Sequence, residues 1–469
     1  MTFIDRLIFI ILWLLVVICP LPFGSNKPLF WSFEALIMAA LLTVWGLQAL
    51  LKPATVNVSF KRTALIVLPF ILCIGWALAQ ALVPAALLGL PANPLWATAA
   101  ELTGRPTPLI ISIHRMHSLE GIMRLITYAA VFWLSMQYTR YNKNGRYLLL
   151  GILFAAMLYT LYGLLMHFSH TEKVLLMDKT YAIGSVTATF INRNSYATYV
   201  GICLIAAFAL MTRGFFRQSS SRRGFLLKLL QFISTKGLVY LQCIAVLCLA
   251  LILSNSRAGI VSTLLGITVF FTILPFSPSM KKFRKFSLIL ILLVVGAMSY
   301  ALNHFMSDET VYRFSRSDTD LAFRMQIYKE TLSLIKEHPI TGVGLGNYEA
   351  AFAKYQNSQM HDKVNLPSRV AKAHNTYLEN AAELGIPGCT LLLLSFVSMV
   401  GLCLKGLIVR RQNFVFPAAG IAVTALIAIH SLFDFSMQIP AVAITYFAFM
   451  GVCVGESWSS QEDSAYAPV

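Results

Sequence analysis

The chain has 469 residues, of which 57% are hydrophobic and only 12% are charged. A soluble globular domain carries about 25% charged residues, so this composition excludes a soluble fold and indicates a protein that crosses a membrane several times. The net charge of +17 would suit a nucleic-acid partner, but the positions of the basic residues favour another explanation.

The sequence contains about twelve apolar runs that are long enough to cross a bilayer. Because a spanning helix needs about 20 mostly apolar residues, these runs predict an all-α polytopic membrane protein. They occupy residues 7–23, 29–51, 64–89, 121–138, 147–168, 196–211, 238–253, 259–274, 286–302, 385–404, 415–430 and 439–455.

Lys and Arg are concentrated on alternate short connections between these runs. With the N-terminus in the cytoplasm, the basic connections all face inwards, as the positive-inside rule requires. The positive charge therefore reports membrane orientation and contact with anionic lipid. We expect both termini in the cytoplasm, transmembrane helices 1–9 within residues 1–302, a periplasmic loop subdomain at 303–384, helices 10–12 within 385–455, and a disordered tail at 456–469.

Two arginines fall at the outer ends of predicted spans. Arg193, in the string FINRN, precedes the sixth run, and Arg257, in SNSRAG, lies in the tight turn between the seventh and eighth. A helix N-terminus with an arginine suits a phosphate, and an arginine at the hydrocarbon edge is a functional candidate. The simpler alternatives are a capped helix start with a snorkelling Arg193 and a surface-facing turn for Arg257.

The long outer segment adds Arg324 and a glycine-rich string. A helix is predicted to run from about Asp320 to Pro339, and a charge pair with Asp320 is the simpler interpretation of Arg324. The string GVGLGN at 342–347 neither follows a strand nor opens into GKT, so it does not indicate a nucleotide site.

The string KAHNTYLENAAELGIPG at 372–388 contains His374, which either takes part in chemistry or only starts a helix. Thr376 and Glu379 have the spacing of a capping box. Glu379 and Glu383 share one helix face, but no second set of ligands lies nearby at metal spacing, so we expect no metal site.

The last outer turn, HSLFDFSMQIP at 430–440, places His430 and Asp434 one helical turn apart. An acid between two phenylalanines at a membrane edge needs a partner, and an arginine from another outer loop is the natural one. For Asp434, structural pairing and ligand positioning both stay open.

In this order, the motifs resemble the O-antigen ligase family, whose hallmark region is shared with O-antigen and exopolysaccharide polymerases. The resemblance covers residues 190–440 and is carried by FINRN, SRAG, Arg324 followed by HPITGVGLGNY, AHNTYLENAAELGIPG and HSLFDF. It implies about twelve transmembrane helices with one long, mostly helical periplasmic loop, similar to the membrane-embedded GT-C-like glycosyltransferases.

The resemblance also implies an activity: metal-independent transfer of a glycan from undecaprenyl diphosphate to an acceptor hydroxyl at the periplasmic face of the bacterial inner membrane, without a cofactor or nucleic acid. The acceptor is lipid A–core in ligases and a lipid-linked repeat unit in polymerases, and the motifs do not separate the two. By motif, His374 is the general base, Arg257, Arg324 and Arg193 bind the diphosphate, and Asn375 and Asp434 support the site.

A membrane transporter is the alternative from another class. It would need charged residues near the middle of the membrane or paired broken helices. Glu34 is the main acid inside a predicted span and lies near its outer third, which weighs against ion-coupled transport.

Overall fold

The computed structural model describes residues 2–140, 144–218, 231–280, 317–355 and 370–458, together with residues 289, 292 and 296. We number its α-helices in chain order. They are α1 (Phe3–Ile18), α2 (Pro28–Leu51), α3 (Phe60–Leu82), α4 (Leu95–Thr103), α5 (Arg115–Thr139), α6 (Asn144–Phe168), α7 (Arg193–Gln218), α8 (Leu238–Leu253), α9 (Arg257–Ile273), α10 (Ser317–Glu337), α11 (Tyr348–Phe352), α12 (Thr376–Val409), α13 (Val415–His430) and α14 (Pro440–Gly455).

Among the described residues, 8 helices are long and apolar enough to cross a membrane, and α13 and α14 are shorter apolar helices. The predicted all-α membrane fold is confirmed at this level, and the count of twelve spans stays a prediction. The ninth predicted span, 286–302, lies outside the described residues apart from positions 289, 292 and 296. In the part of the chain that the structure describes, the exception to the helical pattern is a short antiparallel hairpin, β1 (Lys173–Val174) and β2 (Met177–Asp178).

The first span was predicted too far along the chain. Helix α1 starts at Phe3 because Thr2 and Asp5 form a capping box, in which Thr2 Oγ1 accepts from the Asp5 amide at 3.2 Å and the Asp5 carboxylate accepts from the Thr2 amide at 2.7 Å. The helix ends at Ile18, two residues before Pro20, which cannot continue the hydrogen-bond ladder.

Helix α14 is the centre of the bundle. Every residue from Pro440 to Gly455 is buried, which explains an apolar run without a polar face. Helices α5, α7, α12 and α13 pack around it. Helices α5, α7, α9 and α12 begin, and α13 ends, at one end of this bundle, which we call the site end.

The glycine-rich string 342–347 is a structural loop at the site end. The Val343 and Gly344 amides donate to the carbonyls of Ala382 and Glu383 at 3.0 and 2.9 Å. The Asn347 amide group donates to the hydroxyls of Ser112 and Ser118, just before and inside α5, at 3.1 and 2.9 Å. The string therefore joins α5 to α12, which accounts for it without a nucleotide.

Helix α12 is interrupted at Gly385, whose φ of 70° and ψ of 169° are non-helical. The interruption frees carbonyl groups that need new donors. Trp76 Nε1 of α3 donates to the Leu384 carbonyl at 2.8 Å, and Gln80 Nε2 donates to the Glu383 carbonyl at 3.0 Å. The break is thus held in place by α3 and by the glycine-rich loop.

We expect Gly385→Ala to destabilise the protein. A Cβ atom at this position would overlap the Ile340 carbonyl oxygen, and the positive φ costs a non-glycine residue about 1–3 kcal/mol. The thermal midpoint of the detergent-solubilised protein, followed by tryptophan fluorescence, should fall. Gly401→Ala is the matched control in the same helix, since its Cβ would meet nothing within 4 Å. Equal midpoints for the two variants would contradict this account of the break.

Candidate functional site

The site is built on the turn that follows α13. Four consecutive carbonyls of this turn accept hydrogen bonds from distant segments, because a helix C-terminus leaves its last carbonyls without helical partners. The Ser431 carbonyl accepts from the Thr376 amide at 2.8 Å, Leu432 from the Tyr328 hydroxyl at 3.0 Å, Phe433 from Arg324 Nη1 at 2.8 Å, and Asp434 from the Thr376 hydroxyl at 2.9 Å.

Asp434 is fully buried in this turn. Its carboxylate accepts from the Phe435 amide at 2.7 Å, from the Ser436 hydroxyl at 3.3 Å, and from the side-chain amide of Asn194. The sequence predicts an arginine as its partner. In the described part of the chain, the carboxylate instead accepts a hydrogen bond from Asn194 of another segment. The short amide side chain reaches the buried acid because Asn194 lies in the first turn of α7.

Asn194 also connects the two helix starts that carry Arg193 and Arg257. Its Oδ1 atom accepts from the Ser256 hydroxyl at 2.8 Å, and Ser256 caps α9 by accepting from the Gly259 amide at 3.2 Å. Arg193 and Arg257 are the first residues of α7 and α9. Two helix N-termini, each with an arginine, therefore lie beside the buried Asp434, an arrangement that favours an anion.

Arg324 approaches the same turn from α10. One of its guanidinium nitrogens donates to the Phe433 carbonyl, which fixes the plane of the group while its other N–H groups stay available for a ligand. Tyr328, one turn further along α10, donates to the carbonyls of His374 and Leu432 at 3.1 and 3.0 Å. Because residues four apart share a helix face, Arg324 and Tyr328 dock α10 on the turn together.

His374 lies between α10 and the turn. Its φ is +52°, a conformation in which a non-glycine residue is strained and which is common at functional sites. Its ring packs against Phe435 with the centroids 5.3 Å apart. Its Nδ1 atom is buried and has no hydrogen-bond partner among the described residues. Burial lowers the pKa of His374 below its usual value of 6.5, and the Asp434 carboxylate opposes this shift, so the ring is neutral at pH 7.

The capping box predicted for Thr376 and Glu379 is wrong. Asn375 caps α12 instead, and its side chain accepts from the amides of Tyr377 and Leu378, both at 3.0 Å. Thr376 is already the first helical residue, so its hydroxyl is directed to the Asp434 carbonyl. Glu379, with 1% of its side chain exposed, accepts from Lys372 Nζ at 3.1 Å, from the Ala373 amide at 2.9 Å and from Gln438 Nε2 at 2.8 Å.

The structure thus brings together the segments of all the predicted site residues, and it adds two residues whose importance the sequence did not indicate. Asn194 lies next to Arg193 in the string FINRN. The only sequence signal for Tyr328 is its spacing of four residues from Arg324. His430 lies behind the turn, where its Nδ1 atom is 3.0 Å from the Thr198 hydroxyl. Within the described ranges, no group of three or more His, Cys, Asp and Glu residues could hold a metal ion.

A comparison with protein-family models found a match that includes part of this site. Residues 242–393 match the family model described as O-antigen ligase. This match confirms the predicted resemblance to the O-antigen ligase family over these residues. The family segment contains Arg257, Arg324, His374 and Asn375, whereas Arg193 and Asp434 lie outside it and reach it through Asn194 and Thr376. A comparison with curated proteins found no match.

The match to this family model and the apolar helices together indicate a multi-pass membrane protein. At the level of the family, the match supports an enzyme of the glycan ligase or polymerase type that acts on lipid-linked glycans.

Proposed function

We propose that this protein is a membrane glycosyltransferase of the O-antigen ligase type, which transfers a glycan from undecaprenyl diphosphate to a hydroxyl of lipid A–core. The observation that supports the proposal is the hydrogen-bonded turn after α13. It gathers His374, Arg324 and the start of α7 around one point, and three of the proposed functional residues, Arg257, Arg324 and His374, come from the matched family segment.

The proposed reaction is a single displacement at the anomeric carbon. His374 takes the proton of the acceptor hydroxyl, and the acceptor oxygen attacks the anomeric carbon. The bond between that carbon and the diphosphate oxygen breaks, and its electron pair leaves with the diphosphate. One displacement inverts the anomeric configuration. The driving force is the diphosphate bond of the donor, so no separate source of energy is required.

His374 suits the role of base for two reasons. A neutral imidazole accepts a proton at pH 7, and burial keeps this ring neutral. Its position is fixed from both sides, since Tyr328 holds its carbonyl and Asn375 caps the helix that follows. Such fixed geometry favours proton transfer in the transition state.

Arg257 and Arg324 would bind the departing diphosphate, with Arg193 and the starts of α7 and α9 adding positive potential. Guanidinium groups bind phosphate oxygens through paired N–H bonds, and donors placed where charge develops lower the barrier. Asp434 would orient the network through Asn194. The distribution of Lys and Arg in the sequence favours a site that faces the periplasm.

The purified protein in vesicles should transfer glycan from an undecaprenyl-diphosphate donor to lipid A–core without added nucleotide. Lipopolysaccharide from a deletion strain gives a second test on a gel. Loss of all long chains from the core supports a ligase, and retention of single-repeat bands indicates a polymerase instead. Unchanged glycan with altered solute uptake would contradict both and favour a transporter.

A further inference from the structure

Arg124 lies inside α5, an apolar helix, more than two turns from its start. The carbon of its guanidinium group lies 4.9 Å from the centre of the Trp31 ring. Its Nε atom is buried and has no hydrogen-bond partner in the described part of the chain. An arginine within a spanning helix costs free energy and is therefore a functional candidate.

Arg124 lines a cavity of about 360 Å³ at the site end, formed by residues of α5, α12, α13 and α14. Its apolar wall includes Leu392, Leu393, Phe396 and Val397 of α12. Thr376 and Ser431 also line it, and these two residues join His374's segment to the turn after α13. The cavity therefore lies directly behind the segment that holds His374, and no residue of α7 or α9 in the described ranges contributes to its lining.

The other charged residues of the cavity are compensated by protein groups. Lys372 pairs with Glu379 at 3.1 Å, and the Glu383 carboxylate accepts from the Tyr348 amide at 3.0 Å. The Arg124 guanidinium lies over the face of Trp31, and its buried Nε atom has no hydrogen-bond partner among the described residues. Within the described ranges, Arg124 is therefore the cation of this cavity that is not paired with a protein carboxylate.

The apolar part of the cavity adjoins a second cavity among the apolar helices. A second cavity of about 330 Å³ lies between α3, α5 and α12, and Phe396 and Phe447 line both cavities. The second lining is almost entirely apolar, with Ile71, Ile126 and Met399 among its residues. A long hydrocarbon chain fits such a path, because each buried methylene contributes about 0.8 kcal/mol.

We infer that this cavity holds the lipid anchor of the acceptor, with Arg124 bound to a phosphate of that lipid and the apolar walls around its chain. The inference rests on the proposed function, which assigns the donor diphosphate to Arg257 and Arg324 on the α9 and α10 side. The acceptor then approaches His374 from the α5 side. An acceptor that carries phosphate on a lipid satisfies both the unpaired arginine and the apolar walls.

Binding is tested in a His374→Ala background, so that no turnover occurs, with the full chain in phosphatidylcholine nanodiscs. The probes are radiolabelled lipid A–core, the same glycolipid after removal of its phosphates, and undecaprenyl diphosphate. The parent should bind the phosphorylated glycolipid about tenfold more tightly than the dephosphorylated one, since hydrogen bonds to charged groups have this strength. Arg124→Gln should abolish the preference and leave undecaprenyl diphosphate binding unchanged.

Arg115→Gln is the matched control, because Arg115 begins the same helix but is exposed and does not line the cavity. It should keep the preference. Arg124→Lys keeps the charge and should retain a weaker preference for the phosphorylated glycolipid. Leu393→Trp fills the cavity and should weaken the binding of both glycolipids to the same extent. These two variants test the inference if Arg124→Gln fails to fold.

The inference is overturned if Arg124→Gln keeps the preference for the phosphorylated glycolipid or if the parent has no such preference. It is also overturned if Arg124→Gln weakens the binding of undecaprenyl diphosphate instead. These outcomes differ from a failure of the proposed function. If the proposed function fails, the wild-type protein transfers no glycan even though both lipids bind. If only this inference fails, glycan transfer proceeds without a contribution from Arg124.

Discussion

Replacing His374 with alanine is expected to lower the rate of glycan transfer by about 10²–10⁴-fold, the usual contribution of a general base. The loss should appear in kcat, with the donor KM nearly unchanged, because His374 is proposed to act on the acceptor hydroxyl rather than on the diphosphate. The Nδ1 atom has no partner among the described residues, so the substitution leaves no buried protein donor or acceptor unpaired there. Transfer from a purified lipid-linked donor measures the rate.

The pH dependence distinguishes a base from a residue that only shapes the site. The neutral form of His374 is the active one, and its pKa is lowered by burial. Activity should therefore be constant near pH 7 and fall as the pH decreases through a value below 6.5. The residual activity of His374→Ala should lack this acidic decline.

His338 provides the control for this pH profile. Burial also lowers its pKa below 6.5, but it lies at the far end of α10, away from the turn after α13. We expect His338→Ala to keep both the rate and the acidic decline of the wild type. If His338→Ala removed the decline and His374→Ala did not, the base would be wrongly assigned.

The helices could be predicted from the sequence because apolar runs of sufficient length have few other structures available to them in a membrane. The run at 238–253, for example, coincides with α8. The boundaries were less predictable where short polar side chains compete for backbone amides. At α12, Asn375 and Thr376 are adjacent short polar residues before Glu379. Only the three-dimensional contacts of Thr376 with the turn decide that Asn375 is the cap.

The site was predictable as a set of motifs but not as a set of contacts. Periodicity and charge identify Arg257 and Asp434 as unusual residues for a membrane edge. They do not show that Asn194, 240 residues before Asp434, supplies the amide that binds its carboxylate. Arg124 shows the opposite limitation, because its single charge in an apolar run gains meaning only from the cavity beside it.

Arg257→Ala and Arg324→Ala are each expected to lower kcat by about 10²–10³-fold, the effect of removing one donor to a developing negative charge. If both guanidinium groups bind the same diphosphate, the double variant should lose less than the product of the two single losses, because residues that share a partner are not additive. Arg324→Lys should recover only part of the activity. A lysine ammonium lacks the planar fork with which Arg324 can bond the Phe433 carbonyl and a phosphate at the same time.

Lys336→Ala is the matched control, since Lys336 is an exposed cation on the same helix, α10. It should leave kcat unchanged. This result would show that the effect on kcat depends on the position of Arg324 and not on the general positive charge of the helix. The expected result depends on chemistry at the diphosphate and not on binding of the acceptor. If Arg257→Ala and Arg324→Ala changed only the acceptor KM, the diphosphate would have to bind elsewhere. The donor and acceptor would then exchange the sides of the turn that are assigned to them.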